Sequence, residues 1–303
     1  TIFIFSLIFP IIYLISSYFF LLEISTYYII NILFYFFIAL SFIFWRDFIK
    51  LTQSIKKIDI KYKLLLIITF FIYLFVFLPL SDEDAIRYHL EIGRKINQDT
   101  FYNYIWFDYI TISSEEFLNS FFLNLKFENI SGVSNFIYLI FILISNIYFL
   151  NRYKVGSGFA SIIILLSSPY FFQLLSSQKF YLLPCYIVTY SIVYLYFEKK
   201  ISLSFKIIII ILNLFCVITK PIFLPYFLIS LFLIFRATSE ISQRFKIIFL
   251  CCFGFFIFYF PIFVIKNNIF GDPFIPYFSL NSENTLWLKE YYFWLKDFNM
   301  DTT

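Results

Sequence analysis

Apolar stretches long enough to cross a bilayer follow one another along most of the chain, and they leave room for one kind of fold. A crossing takes about 20 mostly apolar residues when it is helical. Nine stretches read as crossings: about 2–22, 27–45, 64–80, 132–150, 157–176, 180–197, 207–219, 222–235 and 247–265. The seventh and eighth are the shortest. Backbone groups in hydrocarbon must be paired within the segment, so these spans are expected as helices. Pro169, Pro184, Pro225 and Pro261 fall in or near spans, where lipid-embedded helices tolerate them. The residues are 61% hydrophobic and 25% aromatic, more apolar surface than a soluble domain can hide. Mean hydropathy is +0.85. The expected architecture is an all-α, polytopic transmembrane bundle forming one domain over 1–303.

Lysine and arginine give the orientation, because short basic loops mark the cytoplasmic side. The connections 46–63, 151–155, 198–206 and 236–246 carry fourteen basic residues against four acids. The rest of the chain has nine against fifteen. Strict alternation across all nine spans agrees with that split. It places the N-terminus inside and the two long segments 81–131 and 266–303 outside. The location expected is the cell (inner) membrane. Met300 is the single methionine and Thr1 already lies in an apolar run, so the sequence reads as a fragment or a processed piece.

Both outer segments have the pattern of interfacial helices. In 81–131, Ile86, Leu90, Ile92 and Ile96 are apolar among charged neighbours, and Phe117, Leu118, Phe121, Phe122 and Leu125 form a helical stripe. Tyr102, Tyr104, Trp106 and Tyr109 lie between them, as expected of aromatics at headgroup depth. The 266–303 segment opens with a turn-rich piece from Gly271 to Pro276 and ends with Trp287, Tyr291, Tyr292 and Trp294. Cys185, Cys216, Cys251 and Cys252 all lie in apolar runs without metal-ligand spacing, where a thiol acts as a small hydrophobe.

The candidate chemistry begins where the third span ends. Ser81 to Glu91 packs Asp82, Glu83, Asp84, Arg87, His89 and Glu91 into eleven residues, and His89 is the single histidine of a chain that is 14% charged. Ser81-x-x-Asp84 has the spacing of a helix cap, and acids in a first turn complement the helix dipole. Three successive carboxylates exceed what a cap needs, and a carboxylate at the mouth of a membrane cavity can take a proton from an attacking hydroxyl. Both readings stand on the sequence alone. Arg87 and Arg94 suit either a phosphate or ordinary headgroups, and His89 suits a substrate or a neighbouring side chain. Ser113-x-x-Glu116 repeats the cap spacing and reads as structural. Lys179 and Lys220 lie in tight outer turns, against the positive-inside bias. They either snorkel to headgroups or meet the phosphate of a lipid substrate. No acid or base falls in the middle of a span as drawn, which speaks against an ion-coupled transporter. No Gly-rich phosphate loop is present, and nothing indicates nucleic acid as a partner.

Asp84-Ala85-Ile86-Arg87-Tyr88-His89-Leu90, at the first large outer loop, resembles the D-A-x-x-Y-H-L segment of the GT-C superfamily of membrane glycosyltransferases. The nearer likeness is to bacterial proteins similar to dolichyl-phosphate-mannose protein mannosyltransferases and to the lipid A aminoarabinose transferase. Asn268 to Pro276 is similar to the G-N-P-x-x-P segment of such proteins, with Asp272 in the place of Asn. Ser168-Pro169 is a third, weaker point of likeness. The resemblance implies transfer of a sugar, with inversion, from a polyprenyl-phosphate-sugar donor to a lipid, glycan or protein acceptor on the outer face. Asp84 or Asp82 would be the base. Arg87, Tyr88, His89, Lys179, Lys220 and Asp272 would contact substrate, with the cations meeting the leaving phosphate. No cofactor is required, and a divalent metal beside His89, Asp82 and Asp84 is permitted. A transporter or flippase of lipid-linked saccharides is the alternative from the same residues, and a non-catalytic scaffold of envelope assembly is a third.

Overall fold

The computed structural model describes residues 2–22, 67, 68, 71, 91–97, 112–124, 130–154, 160, 179–198 and 201–273. Among them the elements are helices: α1 (Ile2–Ser6), α2 (Ile8–Leu21), α3 (Glu91–Asn97), α4 (Ser114–Asn124), α5 (Ile130–Tyr153), α6 (Leu182–Phe197), α7 (Leu203–Thr219), a 3-10 turn (Pro221–Phe223), α8 (Leu224–Arg236) and α9 (Ile241–Phe270). Three helical stretches are long and apolar enough to cross a membrane: Phe3–Leu21, Ser131–Leu150 and Ile241–Asn268. The apolar helices α6, α7 and α8 are shorter, with 16, 17 and 13 residues. At 1.5 Å per residue, even α7 rises only about 25 Å, against a hydrocarbon core of about 30 Å. The spans expected at 27–45, 64–80 and 157–176 lie almost wholly outside the described residues.

The short α7 is the centre of the bundle. It packs on α9, α6, α8, α4, α1 and α2. Leu212, Asn213, Leu214, Phe215, Cys216, Val217, Ile218 and Thr219 are buried in one continuous run, so every face of this part of the helix meets protein. The outermost helices show the opposite. Leu228, Ile229 and Phe232 on α8, and Phe245, Phe249, Phe253 and Phe256 on α9, are large apolar side chains left exposed. A patch of that extent needs an apolar solvent; this is the surface of a membrane protein.

The sequence expectation ended the last span near residue 265, but α9 continues to Phe270 and contains Pro261. Proline has no N–H, so the carbonyl of Ile257 loses its helical donor. Tyr18 of α2 replaces it, its hydroxyl donating to the Ile257 oxygen at 3.0 Å. Tyr13, fully buried and stacked on Phe258, donates to the Phe258 oxygen at 2.6 Å. Tyr18 thus repairs the proline defect, and the two tyrosines, one and a half turns apart, together fix α2 against α9. Tyr13→Phe removes this buried hydrogen bond, and a destabilisation of about 0.5–1.5 kcal/mol is expected in unfolding measurements in detergent.

The two ends of the bundle are chemically distinct. At one end, Arg152 lies 2.7 Å from Glu198, and the Tyr153 hydroxyl donates to the same carboxylate at 2.9 Å. Lys206, expected in a loop, is instead buried in the first turn of α7. Its Nζ donates to the Ala237 carbonyl at 2.9 Å and to Thr238 Oγ1 at 2.8 Å. Arg244 Nε donates to the Thr238 carbonyl at 2.8 Å. Two cations from neighbouring helices therefore satisfy the C-terminal end of α8, where the helix dipole favours positive charge. Three of the four basic connections read from the sequence meet at this end. The connections 112–114, 179–181 and 219–221 meet at the other, so α6, α7, α8 and α9 run alternately between the two ends.

Candidate functional site

The site lies at the end opposite the basic connections and is assembled from four pieces of chain. The first is the N-terminus of α4. The Ser113 amide donates to Glu116 Oε2 at 2.7 Å, the Ser113 hydroxyl donates to the same oxygen at 2.8 Å, and that hydroxyl accepts the Glu115 N–H at 3.2 Å. This is the capping-box arrangement expected from the spacing. The surroundings differ from expectation. Phe117, Leu118 and Phe121 are buried, but so are Ser114, Glu115, Glu116, Asn119 and Ser120. α4 is covered on its polar face as well as its apolar one, so it is part of the bundle rather than a helix resting on a membrane surface. Its partner α3 comes close at Gly93, where an added Cβ would sit 3.1 Å from the Ser120 amide nitrogen.

The second piece is the strap 179–181 that enters α6. Asn135, buried on α5, donates through Nδ2 to the Lys179 carbonyl at 2.8 Å and accepts the Leu182 N–H at 3.1 Å. The buried Phe180 N–H donates to Glu115 Oε1. The third piece is the turn between α7 and α8. Thr219 donates to the Phe215 carbonyl at 2.9 Å, so the 2.8 Å bond between Thr219 Oγ1 and Ser114 Oγ has Ser114 as donor. The next residue, Lys220, places Nζ 3.5 Å from Glu115 Oε2.

These contacts bring Lys179 and Lys220 to one aromatic ring. Lys220 Nζ is 3.5 Å from the Tyr181 ring centroid and Lys179 Nζ is 6.0 Å from it. A ring face attracts ammonium groups, while two ammonium groups on one ring repel each other. Glu115, almost fully buried, supplies a compensating charge from beneath Lys220, whose side chain keeps 22% of its surface exposed. The arrangement is a buried carboxylate, an aromatic plate and two lysines, one of them at least partly facing out. It can hold an anion.

The fourth piece is the end of α9. Lys266 is buried within electrostatic reach of Glu116. Gly271 closes the helix with φ 64°, its N–H donating to the Asn267 carbonyl at 2.9 Å. That left-handed geometry suits glycine. It turns the following Asp272 inward, where its side chain is fully buried. Pro273 then accepts the Tyr259 hydroxyl at 3.3 Å. No atom lies within 4 Å of a Cβ added at Gly271, so strain alone penalises Gly271→Ala. A loss of about 1–2 kcal/mol is expected on unfolding in detergent.

Of the residues singled out from the sequence, Lys179, Lys220 and Asp272 lie at this end of the bundle. Asp82, Asp84, Arg87, Tyr88 and His89 lie outside the described residues, as does the 274–276 part of the turn-rich segment. Glu115 and Lys266 were not foreseen. Glu115 had a signal: Ser113-Ser114-Glu115-Glu116 contains one acid more than a capping box uses. Lys266 fell just past the drawn end of its span. Among the described residues no three of His, Cys, Asp and Glu converge as a metal site. Comparison of the chain with family models, with curated proteins and with solved structures finds no match in any of the three.

Proposed function

We propose that the chain is a GT-C-like membrane glycosyltransferase of nine crossings, with its N-terminus in the cytoplasm. It moves a sugar from a polyprenyl-phosphate-sugar donor to an envelope acceptor on the outer face. The observation that carries this reading is the meeting of Lys179 and Lys220 on Tyr181 above a buried Glu115. A lipid phosphate leaving the anomeric carbon develops negative charge, and fixed cations lower the barrier by meeting it where it forms. The acidic stretch fits the same end by connectivity. Asp84 lies seven residues before Glu91, the start of α3, and so within about 25 Å of it even when fully extended. α3 packs on α4, which carries Glu115.

In this scheme Asp84, or Asp82, accepts the proton of the acceptor hydroxyl as its oxygen attacks the anomeric carbon. The bond to phosphate oxygen breaks on the opposite face, giving inversion, and the phosphate keeps the electron pair beside Lys179, Lys220 and Arg87. Tyr88, His89 and Asp272 position substrate. These steps route nothing through a metal.

Transport or flipping of a lipid-linked saccharide is the second reading. Lys266 favours it, since a buried ionisable group near a span's end often marks a path for ions or polar substrate.

The lysine pair is tested by binding. Purified protein in phosphatidylcholine vesicles is titrated with polyprenyl phosphate. The Lys179→Ala/Lys220→Ala double variant is expected to bind at least about tenfold more weakly, as for loss of charge-assisted contacts to one phosphate. Unchanged binding would remove both lysines from the site.

A further inference from the structure

At the other end of the bundle, a groove of about 400 Å³ opens between α7 and α9. Leu203, Ile207, Phe245, Ile247, Phe249 and Leu250 line it, together with one charged residue, Lys246. The two helices both start at this end. Leu203, Phe245 and Lys246 therefore lie at the mouth, and Ile207, Phe249 and Leu250 lie about one turn deeper. Farther along, the helices close up: a Cβ added at Gly254 would be 2.9 Å from Leu214 Cδ1, so the glycine sets where the groove stops. Its lining is almost wholly apolar, with the stem of the exposed Lys246 at its edge.

We propose that this groove holds one acyl chain of an anionic membrane phospholipid, with the headgroup phosphate on Lys246. Charge complementarity singles out this occupant. Lys206 and Arg244, the neighbouring cations, are engaged with the Ala237–Thr238 connection. Lys246 is exposed and has no hydrogen-bond or ion-pair partner among the described residues. The connections gathered at this end are the strongly basic ones. A groove of this volume is within the range of small-ligand sites, about 300–1,000 Å³. Its depth axis follows the helices, as an acyl chain beside a headgroup-level lysine would. The site depends on the chain lying in a bilayer and is independent of sugar transfer, since it is at the end away from Lys179 and Lys220.

The test is lipid retention. The protein is reconstituted in vesicles of equal phosphatidylglycerol and phosphatidylcholine, extracted in mild detergent, and weighed with its bound lipid by native mass spectrometry. One retained phosphatidylglycerol per chain is expected. Lys246→Gln, an exposed change that leaves packing alone, is expected to reduce the preference for phosphatidylglycerol about fivefold, the worth of one lysine at an anionic surface. Ile207→Trp fills the groove and is expected to abolish retention while the protein still unfolds cooperatively. Equal retention of both lipids by the unaltered chain overturns the proposal. Retention of phosphatidylglycerol untouched by either substitution does so as well, since the lipid then sits elsewhere. An unfolded Ile207→Trp variant leaves the decision with Lys246→Gln.

Discussion

Glu115→Ala is expected to destabilise the folded bundle by about 3 kcal/mol and to free the strap that leads into α6. The Phe180 N–H, buried and bonded to Glu115, loses its acceptor; an orphaned buried donor costs about 1–3 kcal/mol. Lys220 loses the carboxylate 3.5 Å away. Breaking a fully buried pair costs about 3–5 kcal/mol. Lys220 is partly exposed, so its share is smaller, because water takes over part of the missing partner's role. Glu115→Gln keeps an acceptor for Phe180 and removes only the charge, so a loss nearer about 1 kcal/mol is expected. Denaturant unfolding in detergent, with hydrogen exchange read at residues 179–182, measures both. Native stability and exchange protection in Glu115→Ala would mean that the contact does not hold the strap.

Asp84→Asn is expected to lower sugar transfer by about 10²–10⁴-fold, the usual worth of a positioned general base. The asparagine keeps the shape and some hydrogen bonding of the side chain but cannot take the proton. Donor affinity should stay near that of the unaltered chain, because the phosphate is held by Lys179, Lys220 and Arg87 in the proposed scheme. The expected signature is a fall in kcat with little change in KM. The same fall in Asp82→Asn, with Asp84→Asn active, would exchange the two roles. Full transfer in both variants would take the acidic stretch out of the chemistry and leave it as a helix cap.

Much of the bundle was legible because hydrocarbon imposes one rule on every residue of a span. The runs at 2–22, 132–150, 180–197, 207–219, 222–235 and 247–265 all coincide with helices. What escaped was set by contacts between helices. The α9 helix outruns its apolar stretch and carries Lys266 into the bundle near Glu116, and periodicity along one helix cannot show a neighbour on another. Lys206 counted as loop charge because its capping of α8 depends on a neighbour more than thirty residues away. At the candidate site, Lys179 and Lys220 stood out by lying on the wrong side for the charge rule. Their shared ring, Tyr181, did not, since a tyrosine in an aromatic-rich chain carries no signal until the strap places it.

The central claim is that the lipid phosphate is a leaving group and not merely cargo. Phosphorus NMR on vesicles containing the purified protein, a polyprenyl-phosphate sugar and crude envelope acceptor reads this directly, because the free monoester and the sugar-linked diester resonate apart. Conversion of diester to monoester is expected with the unaltered chain and is expected to stop in Asp84→Asn. A spectrum in which the diester persists while labelled lipid crosses to the other leaflet would contradict the account and leave the transport reading in its place.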